Sequence, residues 1–335
     1  MTVTADAPSG TWEQHRVELT AYCYRMLGSS ADAEDAVQDT MVRAWRSYEK
    51  FEGRSSVRSW LYKIATNVCL TMLDSRQRRA TPMDFGPAAS TDGPAPAQKP
   101  EIAWLEPIPD ARVLPPASDP AELAVAKESV RLAFVAALQH LPARQRAVLI
   151  LREVLQWKAS EVAELLGTTV ASVNSALQRA RATLAEQELA QPGPKGDGAG
   201  ELDADHQELL TRYAEAFERY DVGALVHLLH EDAILNMPPY DIWLQGVEEI
   251  QKWWIGPGAP CRGSKLQPLT ANGMAAFAQW RPNPDGDGYY AWALQVLDIK
   301  DDRIVGYTAF LDVDTLFPMW DMPLRLDREG RPIPG

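Results

Sequence analysis

The sequence is short of what several large protein classes depend on. It has three cysteines in 335 residues, Cys23, Cys69 and Cys261, far apart and never in a Cys-x-x-Cys pair. That spacing argues against a disulfide framework or a zinc site and reads as three idle thiols in a reducing compartment, with no metal and no cofactor expected. No stretch approaches the roughly 18 uninterrupted apolar residues of a membrane span, so no membrane partner is expected. The opening Met1-Thr-Val-Thr-Ala-Asp-Ala-Pro-Ser-Gly10 has neither a basic run nor an apolar core. A secretory signal is therefore not expected, and the chain reads as cytoplasmic. No internal repeat is visible.

With 46% of its residues hydrophobic, the chain has enough apolar material for two or three domains with cores of their own. Its net charge of −13 seems to exclude nucleic acid as a partner, but the charge is unevenly spread. Residues 1–80 carry net +1, 81–124 net −5, 125–188 net +2 and 201–335 net −11. The acid lies in a linker and in the last third, so DNA binding by the earlier segments stays open.

Two breaks in composition divide the chain. Residues 81–120 are crowded with proline and cannot sit inside helices or strands. Within them lies one sticky island, Trp104-Leu-Glu-Pro-Ile-Pro109, which suggests docking on a neighbour. Residues 189–200 form a short, flexible, polar linker. Three folded pieces remain, 11–80, 121–188 and 201–318, followed by a Pro-rich tail, 319–335. The first piece reads as helices over Trp12–Leu27, from Ser29 (with a cap and an acidic first turn), and over about 56–78. On the second of these, Val37, Met41, Ala44, Trp45 and Tyr48 form one apolar stripe. The second piece is helical too. Val130, Phe134, Leu138 and Leu141 share a face, a helix follows over 143–155, and 159–166, Gly167-Thr-Thr169 and 170–184 form a helix-turn-helix pattern. The third piece is α+β. Two helices precede strands at 233–237, 275–281, 289–299 and 303–311 in a curved antiparallel sheet, with Asp285-Gly286 and Asp287-Gly288 suiting a hairpin.

On a helical wheel Val170, Val173, Leu177, Ala180 and Leu184 cluster within about 80°. Ser172, Ser175, Gln178 and Arg179 face the other way, with Asn174 and Arg181 at the border. That outward face holds no acid and carries the groups that meet purine edges in a major groove. Arg144, Arg146, Lys158 and Arg181 could hold phosphates. The plain alternative, a solvated face on a small helical domain, has equal weight from these residues alone. In the first piece, Trp60, Tyr62, Lys63, Asn67, Arg76, Arg78 and Arg79 mix aromatics, an amide and cations, as a surface for unpaired bases would. Core aromatics followed by a helix-end charge cluster is the commoner explanation of such a mixture.

The segments Gly28-Ser-Ser-Ala-Asp-Ala-Glu-Asp-Ala-Val-Gln-Asp-Thr-Met-Val-Arg-Ala-Trp45 and Phe51-Glu-Gly-Arg-Ser-Ser-Val-Arg-Ser-Trp-Leu-Tyr-Lys-Ile-Ala-Thr-Asn67 resemble region 2 of extracytoplasmic-function sigma factors, the compact group of the sigma-70 family. Residues 138–184 resemble region 4. The resemblance implies two all-α domains, a region 2 bundle and a region 4 helix-turn-helix, in a protein that selects promoters for RNA polymerase and catalyses nothing. It implies that Asp32, Glu34, Asp35, Gln38 and Asp39 bind the clamp helices of the polymerase largest subunit. It implies that Trp60, Lys63, Asn67, Arg76, Arg78 and Arg79 recognise the −10 element of promoter DNA, and that Ser172, Asn174, Ser175, Gln178, Arg179 and Arg181 read the −35 element. The family often has more arginines in this recognition helix than the neutral Asn174, Ala176 and Gln178 provide.

Residues 201–318 are similar to SnoaL-like domains of the NTF2-like fold, an α+β cone, through Leu225–Pro239 and Trp243–Ile250. In this setting such a domain resembles a built-in regulator. Trp243, Trp280, Tyr290 and Trp292 are candidates to line a pocket for an unknown small ligand, with plain core packing an equal explanation. His227, His230, Asp241 and Asp312 are the acid–base candidates if the domain were an enzyme, but no spacing pairs them. Two rival readings stand: a stand-alone ligand-sensing helix-turn-helix regulator, which leaves residues 28–79 unexplained, and an NTF2-like enzyme with a DNA-binding appendage.

Overall fold

The computed structural model describes residues 12–333 apart from 52, 54, 75, 76, 100, 101, 116–118, 191–203 and 285. Two compact units emerge: residues 1–79 with 105–191, and residues 80–104 with 192–335.

The first unit is helical. Helix α1 (Arg16–Leu27) stops at Gly28, whose φ of +69° is the left-handed conformation that closes helices. A side chain at Gly28 would meet Gln139 Cδ at 3.0 Å and Leu105 Cδ1 at 3.1 Å, so glycine is needed for space as well as for torsion. Helix α2 (Ser30–Ser47) begins at Ser29, whose Oγ accepts from the Asp32 N–H at 3.1 Å. Helix α3 (Val57–Asp74) follows. Beyond the second unit's insert come α4 (Asp110–Val113), α5 (Pro120–Glu128), α6 (Leu132–Gln139), α7 (Ala143–Leu149), α8 (Ala159–Leu166) and α9 (Val170–Ala190). The helix expected to carry Val130 through Leu141 is confined to α6. Val130 and Leu141 are buried, but they lie in the flanking turns. The helix expected over 143–155 widens after Leu149 into a π-turn, Ile150–Val154.

Both helical blocks contribute to one core. Leu19, Tyr22, Leu61 and Tyr62 from the first block join Val135, Leu138, Ile150, Val173 and Leu177 from the second. Leu105 and Ile108 of the sticky island are buried in the same core. One residue of the expected apolar stripe departs from it: Trp45 is 63% exposed. Val170, placed on the core side of its helix by periodicity, is 43% exposed at the first turn of α9.

The second unit opens with α10 (Ala204–Arg219) and α11 (Val222–His227), then β1 (Leu229–Asn236), β2 (Trp243–Gln245) and α12 (Val247–Ile255). Strands β3 (Lys265–Ala271), β4 (Met274–Pro282), β5 (Tyr289–Lys300) and β6 (Arg303–Phe310) follow, then α13 (Val313–Leu316) and β7 (Arg325–Leu326). The sheet order is β2-β1-β6-β5-β4-β3, with β7 also on β5. The β1–β6 pair is parallel, so the sheet is mixed where a wholly antiparallel one was expected. Hydrophobic alternation marks a strand without marking its direction, which is why this pair was not legible. The edge strand β3 was missed for a related reason: it contains Pro268 and is largely exposed. His230, one of the acid–base candidates, is in β1.

The inner face of the sheet packs Phe277, Ala293, Leu297 and Tyr307 against Tyr213, Phe217, Ile250 and Trp254 of the helices. The chain's own tail packs on Trp280: its ring meets Phe317 edge-on at 5.2 Å, and its indole N–H donates to Pro323 O at 2.8 Å. Residues 80–104, expected as a linker, fold as part of this unit. Ala89 N–H donates to Trp243 O at 2.8 Å, the Trp243 indole donates to Gly86 O at 3.0 Å, and Lys99 N–H donates to Pro239 O at 3.1 Å. The segment thereby satisfies backbone groups at the β2 side of the sheet, where an edge strand otherwise leaves them unpaired.

Candidate nucleic-acid interface

Helices α8 and α9 meet at a tight turn. Gly167 caps α8 with φ +61°, and Thr169 Oγ1 accepts from the Ser172 N–H at 3.2 Å to start α9. Val173, Leu177 and Ala180 are buried. Ser172, Asn174, Ser175, Gln178, Arg179 and Arg181 are all exposed, so the structure gathers the six candidate −35 residues on the outward side of one helix. Arg181 pairs with Glu153 at 2.5 Å, an exposed contact that holds it only weakly. Arg144 and Lys158 are exposed, whereas Arg146, read as a phosphate contact, is 4% exposed and spent on protein carbonyls. The reason is geometric, since α7 turns that residue toward the core.

Helix α3 divides the −10 candidates. Lys63 and Asn67 are exposed and one turn apart. Trp60 is half-buried among Trp12, Tyr48 and Phe51, with ring centroids 6.0, 6.5 and 4.7 Å away, and serves as packing. Tyr62 is buried, and that burial pushes its phenol well above the usual tyrosine range. Arg78 is exposed, with Nη1 2.8 Å from His140 Nδ1. Arg79 faces inward, its guanidinium 2.5 Å from Asp32 Oδ2 and 2.7 Å from Glu106 Oε1. Arg76 lies outside the described residues. The same ion pair withdraws Asp32 from the polymerase candidates, because that carboxylate is buried and neutralised within the unit.

The rest of α2 is turned outward. Asp35, Gln38, Val42 and Trp45 follow one another at helical spacing, and all four are exposed. Val42 is 40% and Trp45 63% exposed, two of the few large apolar side chains in the described residues that face water. Asp39 beside them pairs with Arg43 at 2.8 Å, and Glu34 pairs with Arg112. The sequence reading placed Trp45 in the core stripe and left Val42 unassigned. Helical phase relative to Val37 and Ala44, both fully buried, was the signal that could have separated them.

In the second unit the four pocket candidates do not share one role. Trp243 is held by residues 86–89, Trp280 by the tail, and Tyr290 and Trp292 lie edge to face at 6.3 Å. Arg281 covers Trp292 with its guanidinium 3.9 Å from the ring centre. Inside the unit a polar chain runs from Tyr213 Oη to Gln295 at 2.8 Å, from Gln295 to Gln279 at 2.8 Å, and from Gln279 to Ser264 at 3.0 Å. Burial drives the Tyr213 phenol strongly upward. The acid–base candidates engage different partners. His227 lies 2.6 Å from Gly223 O, His230 accepts from the Asp232 N–H, and Asp312 heads α13. Asp241 pairs with Lys99 at 3.2 Å and accepts from the Ala97 N–H at 3.2 Å. Glu249 accepts from the Thr91 N–H at 2.7 Å and receives Lys252. The Thr91 donation, with Lys252 adding to it, holds the Glu249 carboxyl down at about 2.

A helical unit with an outward helix-turn-helix, joined to an α+β cone, defines a DNA-directed regulator with an appended domain. Family comparison makes this specific. Residues 11–79 match Sigma-70 region 2, residues 131–184 match Sigma-70 region 4, and residues 210–307 match the SnoaL-like domain. The chain is 46% identical over 318 residues to the ECF RNA polymerase sigma factor SigG of Mycobacterium tuberculosis, covering 93% of this chain and 82% of that one. It is 25% identical over 303 residues to SigJ of the same organism, covering 88% of each. The crystal structure of SigJ shares the fold, with a TM-score of 0.58 at 22% identity over 94% of this chain and 98% of that one. The chain belongs to the ECF RNA polymerase sigma factors of the sigma-70 family. Among the described residues, no helix is long and apolar enough to cross a membrane.

Proposed function

We propose that this chain binds core RNA polymerase through the outward stripe of α2 and directs it to promoters through α3 and α9. The observation that carries the reading is the stripe itself. Asp35, Gln38, Val42 and Trp45 put two acidic or amide groups and two uncovered apolar side chains in one line. A charged rim around an aromatic anchor suits a partner surface that is basic at its edge and apolar at its centre. The largest-subunit clamp helices are the proposed partner. Lys63 and Asn67 would meet the −10 element, and Ser172, Asn174, Ser175, Gln178, Arg179 and Arg181 the −35 element. The test is capture of purified core polymerase by the full chain. Wild type should bind, and Asp35→Arg with Asp39→Arg should not. Equal capture of both proteins would refute the α2 assignment.

The C-terminal domain is proposed to modulate this activity by holding chain rather than by chemistry. Its support is the seating of residues 86–99, which sequence places between the two DNA-reading blocks, on Trp243, Pro239, Asp241 and Glu249. Lys99→Glu with Glu249→Ala, which removes the Lys99–Asp241 ion pair and the acceptor of the Thr91 N–H, should change promoter-dependent transcription by purified holoenzyme. Identical transcription from both proteins across concentrations would sink the proposal.

A further inference from the structure

The most acidic third of the chain contains a cluster whose charge is purely positive. Residues 201–335 carry net −11. Cations elsewhere in this unit take carboxylates: Arg219 pairs with Glu215, Lys252 with Glu248 and Glu249, Arg328 with Asp287 and Arg331 with Asp327. Arg262 and Arg281 do not. Among the described residues neither forms an ion pair, and each lies over an aromatic face instead. The Arg281 guanidinium is 3.9 Å from the centre of the Trp292 ring, and that of Arg262 is 5.3 Å from the centre of the Tyr220 ring.

The rings beneath them are fixed. Tyr220 follows α10 with φ +56°, a left-handed conformation that a bulky residue adopts only under constraint. Its hydroxyl supplies the constraint, donating to Trp254 O at 2.8 Å and to Gly258 O at 2.5 Å. Trp292 is the extra residue of a β-bulge, since Gln279 faces Ala293 and Trp280 faces Ala291. Bulges redirect side chains and recur beside functional sites. Arg281 is anchored as well. Its Nε donates to Pro260 O at 3.0 Å, and its two Nη groups make no hydrogen bond among the described residues.

Nothing within the cluster neutralises it. The groups that could turn anionic are the buried Tyr220 phenol and the half-buried Cys261 thiol. Burial pushes both above their ordinary range; Cys261 adds to the rise at Tyr220, and Arg281 pulls against it at each. Arg262 also acts on Tyr220, so the four groups share one neighbourhood. Phenol and thiol are both neutral at neutral pH, and the two guanidinium charges stand unbalanced. A planar guanidinium with free N–H groups matches a pair of carboxylate or phosphate oxygens, and stacking on a ring orients it in advance.

We propose that Arg262 and Arg281, on the platform of Tyr220 and Trp292, bind a small doubly charged oxyanion, a phosphate monoester or a dicarboxylate. The free Nη groups of Arg281 take one oxygen pair, and Arg262 closes on the other side. The site lies within the second unit and does not depend on the polymerase and promoter assignments above.

The test titrates the full chain calorimetrically with phenyl phosphate and with succinate, using sodium chloride at equal ionic strength as the blank. In parallel, mass spectrometry follows alkylation of Cys261 by iodoacetamide; Cys23 and Cys69 are buried, so the peptide carrying Cys261 reports on this site. At least one probe should bind with a Kd below about 1 mM. At ten times that concentration it should slow Cys261 alkylation at least about threefold. Arg262→Gln and Arg281→Gln should each weaken binding at least about tenfold, as loss of charge-assisted hydrogen bonds does. Arg212→Gln removes the same charge from an exposed position of α10 and should change binding less than about twofold. Tighter binding of phenyl phosphate assigns a phosphate head, and tighter binding of succinate a carboxylate one. Failure of both probes to bind would overturn the inference. So would binding that leaves Cys261 unprotected or that both arginine variants retain. If Arg281→Gln is not folded by circular dichroism, Arg262→Gln, at an exposed position, decides alone.

Discussion

Replacing Arg79 with alanine separates a structural arginine from a DNA-reading one. Arg79 bridges Asp32 and Glu106, and the side chains of the three are 15%, 12% and 23% exposed. Glu106 is itself tied down: its Oε2 accepts from Ser29 Oγ at 2.7 Å, its N–H donates to Gly28 O at 3.0 Å, and its carbonyl accepts from Tyr24 Oη at 2.7 Å. Removing the guanidinium leaves two nearly buried carboxylates facing each other without their cation. Breaking such a pair from one side costs about 3–5 kcal/mol, far more than an exposed pair. With a urea slope of about 2 kcal/mol per molar, the midpoint for the helical unit should fall by about 1.5–2.5 M. Arg78→Ala, exposed at the neighbouring position, should shift stability by less than about 0.5 kcal/mol. Adding Asp32→Ala to Arg79→Ala should cost little more, giving a coupling of about 2–3 kcal/mol in a double-mutant cycle. A loss under about 1 kcal/mol, accompanied by weakened −10 binding like that of Lys63→Ala, would refute the reasoning and return Arg79 to the DNA surface.

Three further outcomes are expected. Trp45→Ala should weaken core-polymerase binding by about 2 kcal/mol, roughly 30-fold, as loss of an aromatic anchor does; titration calorimetry with intact circular dichroism checks it. Gln178→Ala should cost about 1–3 kcal/mol on the preferred −35 sequence and little on a scrambled duplex, measured by fluorescence anisotropy at fixed salt. The Glu249 carboxyl, held at about 2 while it receives Thr91, lies below its ordinary value, so its contribution to seating residues 86–99 is complete above the ordinary carboxylate range and is lost as pH falls through that range toward 2. Amide protection of residues 86–99, corrected for intrinsic exchange, should therefore drop between about pH 5 and 3, and Glu249→Gln should reproduce the drop at neutral pH.

Much of the fold was present in the local sequence. Ser29 before Asp32 announced the cap of α2, and Gly167 with Thr169 announced the turn between α8 and α9. The period of Val173, Leu177 and Ala180 named the buried side of the recognition helix, and with it the exposed side. These signals are legible because caps, turns and amphipathic stripes are set by residues within one or two turns of each other. Family resemblance rested on the same local motifs.

What only tertiary structure decided concerns partners far apart in the chain. Arg79 and Asp32 looked like two surface charges with separate roles until Glu106 brought them together. Arg146 looked like a phosphate contact until α7 turned it onto Met26 and Gln139. Trp45 looked like core because it falls at helical spacing with Val37, Met41 and Ala44, yet it is 63% exposed. Residues 80–104 looked like a spacer, and the acceptors that seat them come from residues 239–249. Sequence determined which groups are available and which helix face each occupies. Whether a charge meets water, a carboxylate or a carbonyl is set by what the fold packs against that face, and it is that burial which makes the same arginine a reader of DNA or a brace.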